Sequence, residues 1–162
     1  MKQDSIRTEA IRAFHRGYVL QRDGKLHAAI YQYKRSLELV PTAEAYTFLG
    51  WAYSFQGRLE DAIKECYKAI RVDPTLGNPY NDIGAYLLEM GRPEDALQWL
   101  MLALQAKRYE SRCYPYYNLG RVNELIGSPA KALEYYRNAL KENPSFTPAV
   151  LAVQKFSKPI PR

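Results

Sequence analysis

The chain is 162 residues long, 47% hydrophobic and 25% charged, the composition of a globular domain rather than of a disordered or fibrous chain. Its longest apolar run, Trp99 to Leu104, is far short of the roughly 20 residues that a bilayer-spanning helix needs, which argues against a membrane partner. The 23 basic and 17 acidic residues leave a net +6, unevenly spread: residues 10–42 carry six basic groups against two acidic, while 43–76 and 77–112 each carry four against five, unlike the continuous basic stripe of a nucleic-acid binder.

The opening stretch, MKQDSIRTEA, is charged and lacks the apolar segment of a secretion signal. The two cysteines, Cys66 and Cys113, have no CxxC spacing, so the expectation is a cytoplasmic chain with reduced thiols.

From there on one spacing recurs four times. Gly17, Gly50, Gly84 and Gly120 are each followed seven residues later by Gly24, Gly57, Gly91 and Gly127, and then by Ala29, Ala62, Ala96 and Ala132. Pro41, Pro74 and Pro144 close three of the copies, and Arg108 stands where the third would have its proline. The first glycines are 33, 34 and 36 residues apart, so the last step is longer by two, and residues 111–113 are the expected lengthened loop, with Cys113 in it. Apolar residues at helical spacing flank each second glycine with room only for a tight turn, which predicts helix pairs. The second glycine ends the first helix with a positive φ, and Pro93 and Pro129 fit the first turn of the next helix. At the end of the chain, Ser145 or Thr147 is the expected cap of a last helix over 145–157, with Phe146, Val150 and Val153 packing back on the preceding pair. Residues 158–162 are expected to form a flexible tail.

These residues resemble the tetratricopeptide repeat (TPR) family. Tyr46, Leu49, Gly50, Tyr53, Gly57, Ala62, Ala69 and Pro74 fill its signature in the second copy, and Tyr116, Leu119, Gly120, Gly127, Ala132, Tyr136, Ala139 and Pro144 in the fourth. The resemblance implies an all-α fold, a right-handed superhelical α-solenoid of four TPR helix-turn-helix repeats over 10–42, 43–76, 77–112 and 113–146 with a C-terminal capping helix. Residues 1–157 would then form one domain.

The same resemblance implies that the first helices of the pairs line a concave groove. Phe14, Tyr18, Trp51, Phe55, Tyr114 and Tyr117 fall on that face, interleaved with Asn78, Asn81, Asn118, Arg121 and Glu124. Some of these rings, Phe14 and Phe55 above all, also suit packing between helices. A contiguous exposed aromatic patch marks an interaction surface. The expected function is therefore a non-enzymatic scaffold that binds a peptide or helix segment of a partner protein. The lysine, arginine and asparagine set with which some TPR proteins clamp a C-terminal carboxylate has no counterpart here, and Asp82 would repel such a group.

Two other readings compete. Single-stranded nucleic acid would stack on the rings and meet Arg12, Arg16 and Arg22, but Glu44, Asp82 and Glu89 in the groove disfavour it. Self-association into a homo-oligomer would use the tail or a convex ring such as Trp99. No catalytic residue set, cofactor motif or metal-ligand cluster is expected: His15 and His27 stand apart, Cys66 reads as a buried inert thiol, and GRLEDAIK lacks the second glycine of a phosphate loop.

Overall fold

The computed structural model describes residues 2–157. The flexible tail expected over 158–162 lies outside the described residues. Among the described residues there are nine helices: α1 (Lys2–Arg22), α2 (Leu26–Leu39), α3 (Ala43–Phe55), α4 (Leu59–Val72), α5 (Asn78–Glu89), α6 (Pro93–Gln105), α7 (Cys113–Leu125), α8 (Pro129–Glu142) and α9 (Thr147–Ser157). They pack as successive antiparallel pairs, α1 with α2 through α7 with α8, each pair resting on the next, with α9 on α8. α1, α3, α5 and α7 also touch in sequence, so they form one layer of the solenoid.

Sequence periodicity explains the layering. Each second helix buries a single stripe at helical spacing, such as Ala62, Cys66 and Ala69 in α4 or Ala132, Tyr136 and Ala139 in α8. The inner first helices are buried on more sides, because each lies between its own partner and the neighbouring pairs. In α3, Ala43, Ala45, Thr47, Leu49, Gly50, Ala52 and Tyr53 are all buried.

Two glycine roles set the pair geometry. A Cβ on Gly50 would lie 2.9 Å from the Ala62 carbonyl oxygen, a backbone atom with little room to move, so α3 and α4 approach this closely only because the site has no side chain. At the turn, Gly57 has φ 73°, its N–H donates to Ser54 O, and the Arg58 N–H donates to Tyr53 O. This is a Schellman ending, which satisfies carbonyls that the finished helix leaves open. The same pair of bonds ends α1, α5 and α7 at Gly24, Gly91 and Gly127.

The third inter-pair connection differs from the others. The expected loop at 111–113 is instead residues 106–112, and Cys113 is the buried first residue of α7, not a loop residue. Without a proline to end α6, the Arg112 guanidinium donates to the carbonyls of Leu104 and Ala106 and takes up free acceptors at the helix end. Arg108 forms a parallel bridge with Leu76: its N–H donates to Thr75 O at 2.9 Å, and its carbonyl accepts from the Gly77 N–H at 3.0 Å. Tyr109 is buried directly on Gly77.

The last helix also departs from expectation at its start. Neither Ser145 nor Thr147 occupies the cap position; Phe146 does, and its carbonyl accepts from Ala149 and Val150. Phe146 then packs on Tyr114 and Tyr117, Ala149 is fully buried, and Phe156 meets Tyr136 with ring centroids 6.0 Å apart. Lys155 closes the cap through an ion pair with Glu124.

Candidate functional site

The layer of first helices carries a chain of aromatic rings whose centre is Phe48 on α3. Its ring centroid lies 5.2 Å from Phe14, 5.8 Å from Tyr18, 6.0 Å from Tyr33 and 5.7 Å from Trp51, and Trp51 lies 5.4 Å from Phe55. Edge-to-face contacts dominate, the arrangement that ring quadrupoles favour. Phe14 is half-buried in this chain, against Tyr33 and Phe48. Tyr18, Trp51 and Phe55 remain open, at 41%, 40% and 59% exposure. With Gln21, Arg22, Gly24 and Leu26, these three rings line a hollow between the end of α1 and α3.

A second cleft, of about 290 Å³, continues across α3, α5 and α7. Phe48 and Trp51 form one wall; Asn78, Asn81 and Asp82 the floor; Tyr109, Ser111 and Tyr114 the far side. Trp51 is shared by the two hollows, which makes one surface of them. Tyr114 is exposed, with its ring 5.0 Å from Phe146, whereas Tyr117 is half-buried between Tyr136 and Phe146.

The polar side chains of this face bind one another. Arg121 donates to Asn118 Oδ1 at 3.3 Å, Asn118 Nδ2 donates to Asn81 Oδ1 at 3.1 Å, and Asn81 Nδ2 reaches Asp82 Oδ1 at 3.4 Å. Asn81 and Asn118 are buried, so they hold α5 against α7; Asn78 is exposed beside them. Glu124 lies apart, accepting from the Tyr136 hydroxyl and pairing with Lys155, and these bonds hold its carboxyl below the usual range. Asp82 goes the other way: burial pushes its carboxyl up to about 7, with the Asn81 bond only partly opposing.

The structure thus brings Phe14, Tyr18, Trp51 and Phe55 together on one side of the surface. Asn78, Asn81, Asn118, Arg121, Tyr114 and Tyr117 come together on the other. Phe48, which joins the first group, falls one position off the face read from the repeat, and Tyr109 sits in the irregular connection. The signal for Phe48 is its place between Thr47 and Leu49 on a helix buried on several sides; for Tyr109 it is the neighbouring Gly77, which leaves space for a ring.

Elsewhere, Arg12 and Arg16 both lie near Glu9, and Trp99 is half-buried between Tyr67 and Tyr80, a packing position on the opposite layer. Cys66 is fully buried and its thiol is pushed well up by desolvation. Among the described residues no group of three or more histidine, cysteine or carboxylate side chains is placed to hold a metal ion. No helix among them is long and apolar enough to cross a membrane.

Comparison with known proteins bears on the whole surface. Two sequence models of the tetratricopeptide repeat match residues 43–76 and 113–146. The type IV pilus assembly protein PilF of Pseudomonas aeruginosa is 33% identical over 147 residues, covering 88% of this chain; the chain spans 58% of the length of that relative. A solved structure of Pseudomonas aeruginosa PilF is similar with a TM-score of 0.85 at 26% identity, over 96% of this chain and 69% of that one. The first TPR domain of Spaghetti (RPAP3), bound to an HSP90 peptide, shares the fold at 20% identity with a TM-score of 0.65, over 71% of this chain and 90% of that one. Stacked helix pairs, a Schellman ending at the turn glycine of each pair and these matches lead to one assignment: the chain belongs to the tetratricopeptide repeat family.

Proposed function

We propose that this interaction scaffold holds a segment of a partner protein along the layer of first helices, without catalysing a reaction. The observation that carries the reading is the pair of hollows joined at Trp51, where Tyr18, Phe55 and Tyr114 are also open. Exposed aromatic groups that cluster on one face supply most of the affinity at interfaces. Phe14, Phe48 and Tyr117 support them from beneath, and the Asn81–Asn118 pair keeps the floor rigid. Asn78 is the exposed amide available to the backbone of a bound segment.

The fold likeness to a TPR domain bound to a peptide supports a peptide as ligand. The likeness to a type IV pilus assembly protein supports a partner that is a subunit of a multi-component assembly. A cytoplasmic location belongs to the same proposal and rests on the two unpaired cysteines; cell fractionation tests it.

The test of the groove is affinity capture from a lysate of the source cell, treated with nuclease, comparing the native chain with Trp51→Ala/Tyr114→Ala after matching helicity and melting. Loss of a captured protein with the variant is the expected result. An unchanged set of captured proteins overturns the reading.

A further inference from the structure

We propose that Asp82 marks a seat for a lysine or arginine side chain, so that the segment held on this surface carries a basic residue at the cleft between Trp51 and Tyr114. The proposal rests on the interaction reading above and names the chemistry of its ligand.

Three observations converge. First, the cleft is lined by Phe48, Trp51, Tyr109 and Tyr114 together with Asp82 and Asn78, and no lysine or arginine is among its lining residues. Aromatic faces and a carboxylate both attract a cation, and a partly desolvated site strengthens that attraction. Second, among the described residues the Asp82 carboxylate receives one hydrogen bond, the 3.4 Å contact from Asn81. Asp82 is half-buried at the cleft, where the surrounding protein disfavours its charge, and that charge also acts on Cys66, Tyr86 and Tyr109. Third, three arginines of the neighbouring elements are engaged elsewhere, and Lys107 of the same connection is not among the lining residues of the cleft. Arg108 pairs with Glu44 and Asp73, Arg112 donates to the carbonyls that end α6, and Arg121 donates to Asn118. The negative charge in the cleft therefore has no cation of its own chain on it, and complementarity calls for one from the ligand.

A cationic ligand is also what the shape suits. Lysine and arginine have long apolar stems, which lie along rings while the charged head reaches a carboxylate. The hollow on the other side of Trp51, formed with Tyr18 and Phe55, takes an apolar neighbour of the same segment.

The test is selection from a random 12-residue peptide display library on the full chain, on Asp82→Asn and on Trp51→Ala, at pH 8 and low salt. Peptides enriched by the native chain are expected to share one lysine or arginine flanked by apolar residues. Replacing that residue by norleucine in a synthetic peptide is expected to weaken binding to the native chain by about tenfold or more, and to leave binding to Asp82→Asn nearly unchanged. Enriched peptides without a fixed basic residue, or a norleucine penalty equal in both proteins, overturn the seat at Asp82 while the groove stands. Equal binding of the same peptides to Trp51→Ala overturns the groove instead, and failure to enrich any peptide overturns both.

Discussion

Asn118 Nδ2 donates to Asn81 Oδ1 at 3.1 Å, and both side chains are buried, so two amides rather than two apolar groups join α7 to α5 across the repeat boundary. The bond has a direction. Arg121 holds Asn118 Oδ1 and thereby turns Nδ2 toward Asn81, whose own Nδ2 is left for Asp82. Buried amides of this kind stabilise modestly when paired and cost more when one partner is lost.

Asn118→Leu removes the donor to Asn81 and the acceptor of Arg121, and is expected to destabilise the fold by about 1–3 kcal/mol. Asn81→Leu is expected to do the same. The two changes together should cost less than the sum of the single changes by about 1 kcal/mol, because the second removes a group that the first has already orphaned. Urea denaturation of the four proteins measures this, and strict additivity would count against the pairing.

At the repeat core, Gly50→Leu sets a side chain against the Ala62 carbonyl and is expected to cost about 3 kcal/mol or more, since backbone gives way less readily than a side chain. Gly57→Ala meets nothing within 4 Å but forces a Cβ into φ 73°, at a cost of about 1–2 kcal/mol. Gly57→Asn should recover part of the loss, because asparagine tolerates that conformation. Thermal melts of the three variants separate crowding from backbone strain; equal losses for Gly57→Ala and Gly57→Asn would argue against the strain.

These glycines also show how far the fold was legible in the sequence. Both their spacing and their two roles are local, so the helix pairs could be read from Gly17 through Gly127 without knowing any contact. The surface was harder to read. Counting positions along one helix finds Tyr18, Trp51, Phe55 and Tyr114, which the structure leaves open. It does not reveal that Tyr117 is covered by Phe146 from the next connection, or that Asn81 and Asn118 satisfy each other, because those contacts join residues far apart in the chain. Arg108 belongs to the same class. In sequence it is a missing proline; in the fold it bridges Leu76 with its backbone and carries ion pairs to Glu44 and Asp73.

That connection divides into a charged part and a packed part with different sensitivities. Arg108→Ala removes two exposed ion pairs but keeps the backbone bridge, so its effect on melting should be small and should vanish in molar salt. Tyr109→Ala empties the buried space over Gly77 and is expected to cost about 3 kcal/mol at any salt concentration. Melting curves at low and high salt distinguish the two, and a salt-insensitive loss in Arg108→Ala would assign the stability to something other than its charge.

Asp82 makes the stability of the chain depend on pH in a direction opposite to that of an ordinary salt-bridged carboxylate. Burial raises its pKa from 3.8 to about 7 in the native state, so between these values the folded chain keeps a proton that the unfolded chain has lost. The associated stability is therefore fully present below the lower value and disappears as the pH rises through about 7. Asp82→Asn places a neutral group of nearly the same shape in the site and has no such loss. The variant should gain on the native chain as the pH rises from 4 to 8, by at most about 4 kcal/mol. Denaturation midpoints of the two proteins across that range give the difference directly. Parallel curves would mean that the carboxylate is well solvated in the folded chain, and then the cleft would not be dry enough to favour a cation over water.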